Sequence, residues 1–275
     1  MSCAEAGLIE APWLRFGEGT ALIRALDEVA SGTGLGPLLA LGSQAAAEQL
    51  GGAALDHLVT VKGLELPGYD PRTLPAMALG FAVNARGADH NRSGAYEADL
   101  GGELDRFAPS DAHVLAAIIT EDRAAIMDSM ILCKFLRGVF DDPFAEWATL
   151  LALVTGWTID GEELQATARR IILAKRMFNL RAGWVPADDG LPDRLLDTPV
   201  ELSSGRSVTL SRDHLAAMIT TYHRERGLDD RGLPDAAAWE DLGLSAPAPA
   251  AAPTPPPAAS PTSRGAASPA PSTTR

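Results

Sequence analysis

The stretch from Val61 to Arg92, VKGLELPGYDPRTLPAMALGFAVNARGADHNR, constrains the fold more than any other part of the chain. Its middle, Ala76 to Val83, is apolar and can be buried. On either side, charged and hydrogen-bonding residues stand between glycines and prolines: Lys62, Glu65, Tyr69, Asp70 and Arg72 before it, Arg86, Asp89, His90 and Arg92 after it. A buried centre flanked by polar clusters is the pattern of a site wall rather than a surface loop. The same residues are also compatible with an irregular segment joining two domains.

Apolar spacing around this stretch predicts a mainly α chain. Leu22, Ile23, Leu26 and Val29 recur at helical spacing, and the glycines from Gly32 to Gly36 end that helix. A second helix is expected from about Pro37 to Leu50. His57 to Leu66 reads as extended, Thr73 to Ala85 as a short helix, and Gly87 to Pro109 as loop. Ser110 suits the N-cap of a long helix reaching Asp128 to Lys134. Helices are then expected at Phe144–Leu153, Asp160–Leu180, Arg212–Arg226 and Ala236–Leu242. Only Val200–Leu202 with Ser207–Leu210 resembles a hairpin. Gly34, Gly36 and Gly42 are too loosely spaced for a dinucleotide-binding turn, and no suitable strand precedes them.

From Ser245 onward the sequence is Pro, Ala, Ser and Thr with no aromatic residue. Such a tail buries too little apolar surface to offset its ordering entropy, so 245–275 is expected to be disordered. The net charge of −13, with no basic patch, argues against a nucleic-acid partner. Two cysteines, Cys3 and Cys133, are too few for a disulfide framework and fit a reducing cytoplasm. No amino-terminal signal or membrane-spanning run is expected.

Residue chemistry alone leaves each candidate with two roles. Cys133 is a buried core thiol or an iron–sulfur ligand. Asp128 is a solvated helix carboxylate or an acceptor for a ligand's N–H groups. His90 is a loop histidine bonded to backbone or a proton-moving group. Lys62, Arg72 and Arg86 serve phosphate or ion-pair roles, or simply hold the loop. Arg176, Asn179 and Arg181, with Asp188, Asp189 and Arg194, suggest a buried polar network joining helices.

Several segments together carry a resemblance: AGLIEAPWLRFGEG, VKGLELPGYDPR, RGADHNR, DSMILCKF, KRMFNLRAGWVPADDGLPDRLL and YHRERGLDDRGLP. In this order they resemble the second and third domains of the tungsten-containing aldehyde ferredoxin oxidoreductases, from Cys3 to Leu244. The resemblance implies residues 1–138 as a partial, cofactor-facing second domain and 139–244 as a helical third domain. It implies a bis-pterin tungsten cofactor (tungstopterin) beside a [4Fe–4S] cluster, oxidation of aldehydes to carboxylic acids, and electron transfer to ferredoxin. The sequence starts partway through the family's second domain. The β base under the cofactor, three cluster cysteines and a catalytic glutamate are therefore expected on a separate amino-terminal subunit. The alternative is a non-catalytic helical remnant or scaffold that binds a partner but no cofactor.

Within the resemblance, Cys133 matches the fourth iron ligand, Asp128 a pterin-binding carboxylate and Leu132 its cofactor-facing neighbour. Arg92 matches a basic residue at the pterin, His90 the active-site histidine, and Tyr69 a tyrosine facing substrate. Cys3 matches no ligand. On a regular helix Asp128 and Cys133 would lie about 140° apart, so the helix must end between them for both to face one site. The family often has glycine where this chain has Ile131. The five residues Tyr69, His90, Arg92, Asp128 and Cys133 are expected to converge on one concave face, with apolar neighbours such as Leu132 exposed.

Overall fold

The computed structural model describes residues 1–235, together with 237 and 240. The helix expected across Ala236–Leu242 falls mostly outside these residues, and the tail lies wholly outside them. Helices α1 (Ser2–Glu5), α2 (Gly19–Ser31), α3 (Gly36–Leu39) and α4 (Ser43–Leu50) precede α5 (Pro75–Val83), α6 (His90–Ser93) and α7 (Tyr96–Leu100). The longer α8 (Asp111–Ser129), α9 (Pro143–Thr155), α10 (Gly161–Arg181) and α11 (Arg212–Glu225) follow. Two antiparallel hairpins, β1 (Thr60–Val61) with β2 (Leu64–Glu65) and β3 (Val200–Glu201) with β4 (Ser207–Val208), and five short 3-10 helices complete the described elements. The class is mainly α, as expected. Among the described residues no helix is long and apolar enough to cross a membrane.

The apolar run of the central stretch becomes α5, and all nine of its residues are buried. Around it pack α6, α7, α8 and α11, with Leu215, Met218 and Tyr222 of α11 in the same core. A second core gathers Ile126 and Met127 of α8, Trp147 of α9, and Leu164 and Ala168 of α10. Phe140 and Phe144 meet Trp147 edge-on. Helix α8 therefore belongs to both cores, its first half in one and its second half in the other. Its start is fixed by a reciprocal cap: the Ser110 side chain takes the His113 backbone N–H, and the Ser110 N–H donates to His113 Nδ1 at 3.2 Å. Helix α10 starts where Asp160 accepts the Glu163 N–H at 2.9 Å.

Three expectations are corrected. The helix expected at Pro37–Leu50 is two pieces, because Gly42 takes φ +81 ahead of α4. The extended reading of His57–Leu66 is a tight hairpin, turned by Lys62 and Gly63 at φ +50 and +78. The expected loop Gly87–Pro109 contains α6 and α7. The long helix α8 stops at Ser129, within the expected range of Asp128 to Lys134.

Asp99 on α7 is 3% exposed and caps α5 by accepting the N–H groups of Ala76 and Met77 at 3.0 and 2.9 Å. Burial outweighs those bonds and pushes its carboxyl up to about 6. The folded chain then holds this proton more tightly than the unfolded chain. Asp99 therefore adds stability below its unfolded value, and that contribution is lost as pH rises through about 6. Relative to Asp99→Asn, the unsubstituted chain should gain on the order of 3 kcal/mol between pH 7 and pH 4. Urea denaturation across that range measures the difference; a constant or opposite trend would count against the argument.

Candidate functional site

The second half of the central stretch is held against the first. Gly87, at φ +75, lies so close to β1 that a Cβ there would collide with the Val61 carbonyl oxygen. Asp70 accepts the Arg72 N–H at 3.0 Å and pairs with its guanidinium at 2.6 Å, fixing the chain just after Tyr69. Asp89 accepts the Asn91 N–H at 2.9 Å and so starts α6 at His90. Asp89 also pairs with Arg86 at 3.0 Å. These constraints bring three rings together. Tyr69 stacks on Tyr96 at 5.0 Å between centroids, and His90 lies 5.2 Å from Tyr69 and 6.0 Å from Tyr96. The Tyr96 hydroxyl accepts a hydrogen bond from Arg137.

One helical turn beyond His90 the site continues onto α8. Arg92 reaches Asp128 at 2.5 Å, and Lys134 reaches the other carboxylate oxygen at 2.8 Å. Burial works against ionisation of Asp128, yet Lys134 and Arg92 hold its carboxyl below the usual range. Two of its four lone-pair sites are used, so it retains acceptor capacity for a ligand. Four of the expected residues are thus linked: Tyr69 to His90 through their rings, His90 to Arg92 through α6, and Arg92 to Asp128 through an ion pair. Cys133 is exposed on the turn that follows, and among the described residues no side-chain hydrogen bond joins it to His90 or Tyr69.

The helix does end between Asp128 and Cys133. The Leu132 N–H donates to the Met127 carbonyl at 2.8 Å, and the Ile131 N–H to the Asp128 carbonyl at 3.3 Å. This is a Schellman ending with Ile131 in its left-handed position at φ +57. A β-branched residue is strained there, and the Ile131 side chain is 92% exposed, so it gains little from burial. Ile131→Gly is expected to stabilise the fold by about 1 kcal/mol, the left-handed penalty being relieved. Chemical denaturation of the two proteins checks this; a loss of stability would show that Ile131 is not strained.

The expectation that Leu132 would be exposed is corrected. It is half-buried and packs into the second core, as the Schellman ending requires of the residue after the left-handed one. The exposed apolar residues here are its neighbours: Ile131, Phe135 at 95% and Val139 at 64%. Large side chains this open, beside an exposed thiol, mark a surface suited to being covered.

Behind the site lies a buried polar network. Asp189 takes Lys62 at 3.1 Å, Arg176 at 2.8 Å and His223 at 3.3 Å. Burial opposes its charge, but His223, Arg176 and Lys62 together keep it ionised. Asn179 donates to the Ala85 carbonyl at 2.7 Å and ties α10 to the polar stretch. Arg194 departs from this expected group and instead reaches Ser2 and His57. The sequence reading did not single out Tyr96, Lys134 or His223. Lys134, adjacent to Cys133, was the one with a local signal.

Among the described residues no group of three or more His, Cys, Asp or Glu side chains could hold a metal ion. A single thiolate does not make a four-iron site. The described residues therefore fit one ligand of such a cluster and one edge of a pterin, not the whole assembly.

Comparison with known proteins supplies the context. Residues 1–244 match the family model described as aldehyde ferredoxin oxidoreductase, domains 2 and 3. The tungsten-containing aldehyde ferredoxin oxidoreductase of Pyrococcus furiosus is 34% identical over 241 residues, covering 86% of this chain and 38% of the relative. The enzyme of the same description from Thermococcus kodakarensis is 32% identical, with the same coverage. A WOR-like subunit of an aliphatic sulfonate oxidoreductase from Pyrococcus furiosus is 26% identical, covering 84% of this chain and 36% of the relative. The chain thus spans about two fifths of the length of these relatives. Among solved structures, the active-site complex BamBC of benzoyl coenzyme A reductase, in complex with 1,5-dienoyl-CoA, superposes with a TM-score of 0.58 at 18% identity. It covers 88% of this chain and 42% of that one. That likeness speaks to the fold alone.

Proposed function

The chain belongs to the aldehyde ferredoxin oxidoreductase family, over the part that forms domains 2 and 3, and from that premise we propose that it is the carboxyl-terminal portion of a cytoplasmic tungstopterin, iron–sulfur oxidoreductase. The substrate class is an aldehyde, oxidised to a carboxylic acid, with ferredoxin as electron acceptor. The domain boundary lies near residue 138. The β base and remaining cluster cysteines come from a further polypeptide segment or a separate chain.

The observation that carries this reading is the ion pair between Arg92 and Asp128, 36 positions apart at 2.5 Å. It joins the RGADHNR segment to the DSMILCKF segment, which supports a common site for the histidine and the carboxylate. The cofactor, when bound, supplies the oxygen-transfer and two-electron chemistry. The chain's own residues do the rest. Asp128 and Arg92 orient the pterin edge, and Leu132 braces the turn that carries them. Cys133 offers one thiolate to the cluster. Tyr69 positions substrate by its hydroxyl, and His90 holds or moves a proton near the substrate oxygen.

Purified alone, the chain is expected to carry neither stoichiometric iron nor tungsten. Combined with a polypeptide supplying the β base and three cysteines, it should acquire about four iron atoms per chain. Elemental analysis reads both results. Stoichiometric iron in the uncombined chain, or none in the assembly, would overturn the reading; an assembly without iron would favour the scaffold alternative.

A further inference from the structure

A cavity of about 350 Å³ opens between the end of α5 and α10, with Arg92 in its lining. Its wall carries Lys62, Arg86, Arg92, Lys175 and Arg176, and the Trp184 ring, which also lines it, packs against Arg176 at 4.3 Å and Lys62 at 5.5 Å. This is unexpected in a chain of net charge −13 that contains only three lysines. Two of those lysines line the cavity, and the third, Lys134, stands behind Arg92 on the shared Asp128.

The nearby carboxylates do not balance these charges. Asp189 serves both Lys62 and Arg176, and Asp128 serves both Arg92 and Lys134. Asp89 pairs with Arg86. Glu121 is the one acid among the described lining residues, and it is already engaged by Tyr222 at 2.7 Å and Arg226 at 2.6 Å. Lys175 remains. It is half-buried on α10 and makes no hydrogen bond or ion-pair contact among the described residues. Burial, then the neighbouring Arg92, draws its pKa down, and the more distant carboxylates of Asp128 and Glu121 offset this only in part. Ile172, Phe178 and the Trp184 ring give the rest of the wall an apolar face.

We propose that this cavity is a binding site for a small organic oxyanion, its carboxylate or phosphate held by Lys175 and Arg86 and its apolar body lying against Trp184. The volume suits a molecule of one ring and its substituents rather than a bare ion. Guanidinium and ammonium groups on one wall recognise an oxyanion by charge-assisted hydrogen bonds. The inference concerns binding by the chain itself and does not depend on the redox reading.

Isothermal titration calorimetry of the full chain tests it, with phenyl phosphate, benzoate and the neutral benzamide as probes. Phenyl phosphate is expected to bind saturably with one site per chain, benzoate more weakly, and benzamide not measurably. Affinity should fall as sodium chloride is raised. Lys175→Gln should weaken phenyl phosphate about tenfold, equivalent to about 1.4 kcal/mol, while Lys175→Arg retains it. Because Lys175 has no partner to lose, the fold should tolerate both changes, and circular dichroism verifies that. Arg86→Gln, at a largely exposed guanidinium, gives an independent second loss. Absence of saturable binding, equal binding of benzamide, or affinity unchanged in both Lys175→Gln and Arg86→Gln would overturn the proposal.

Discussion

Arg226→Ala should destabilise the chain by about 3–5 kcal/mol, the cost of leaving buried charge without its counter-charge. Arg226 donates to Asp122 and Glu121, each at 2.6 Å, and to the Ile118 carbonyl at 3.3 Å. The Tyr222 hydroxyl donates to the same Glu121 oxygen at 2.7 Å. Asp122 and Glu121 are 1% and 3% exposed. Without Arg226, two adjacent carboxylates face a low-dielectric interior, with the exposed Arg169 3.9 Å from Asp122. That deficit is a large share of the 5–15 kcal/mol typical of a folded domain. Burial raises the Asp122 carboxyl even with Arg226 present. In the variant Asp122 should titrate higher still, so the folded state binds a proton that the unfolded state does not. The variant should therefore recover part of its loss as pH falls from 7 towards 5. Arg226→Lys should rescue little, since an ammonium cannot span two carboxylates as the guanidinium fork does. Urea denaturation of the three proteins at pH 7 and pH 5 gives the numbers. A cost below about 1 kcal/mol at pH 7 would mean that water reaches these carboxylates.

The elements legible in the sequence are those with local causes. Helix α8 announces itself through Ser110, and α9 through the stop at Gly156, which takes φ +75. Helices α6 and α7, of four and five residues, are too short for a hydrophobic period. They exist because Asp89 caps one and Asp99 anchors the other to α5. The β1–β2 turn was hidden because Lys62 is not a residue one expects in the left-handed region. The polar network shows the same limit. Arg176 and Asp189, 13 positions apart, could be grouped by eye. Lys62, 127 positions from Asp189, and His223, 34 positions from it, could not. Arg226 carries no pattern signal either, since its acids are sequential neighbours and lie more than a hundred residues away. Tyr69, His90, Arg92 and Asp128 are assigned to one site through motif resemblance, not through periodicity. Their spacing of up to 59 positions is bridged only when α6 packs on α8.

In the complete assembly, His90→Ala is expected to lower aldehyde oxidation by about 10²–10⁴-fold, the range lost with a positioned acid–base group. The histidine is placed rather than loosely tethered. It opens α6 through the Asp89 cap, and its ring lies against Tyr69 and Tyr96. Its Nε2 lies 3.1 Å from Asn91 Nδ2. With Asn91 as donor there, the neutral ring carries its proton on Nδ1, which is then the nitrogen available to donate. The substitution removes that proton and the Asn91 contact but leaves the Arg92–Asp128 pair and the Asp89 cap, neither of which uses the His90 ring. Assembly and iron content should therefore be unchanged, and the loss should fall on kcat. His90→Gln restores a donor but cannot move a proton, so it separates the two roles. Partial recovery of activity would indicate hydrogen-bond donation to the substrate oxygen. No recovery, with loss of a titration in the kcat–pH profile, would indicate proton transfer. Full activity in His90→Ala would remove the histidine from the chemistry, and the Tyr69–His90–Tyr96 cluster would then be only the packing that holds α6 against α8.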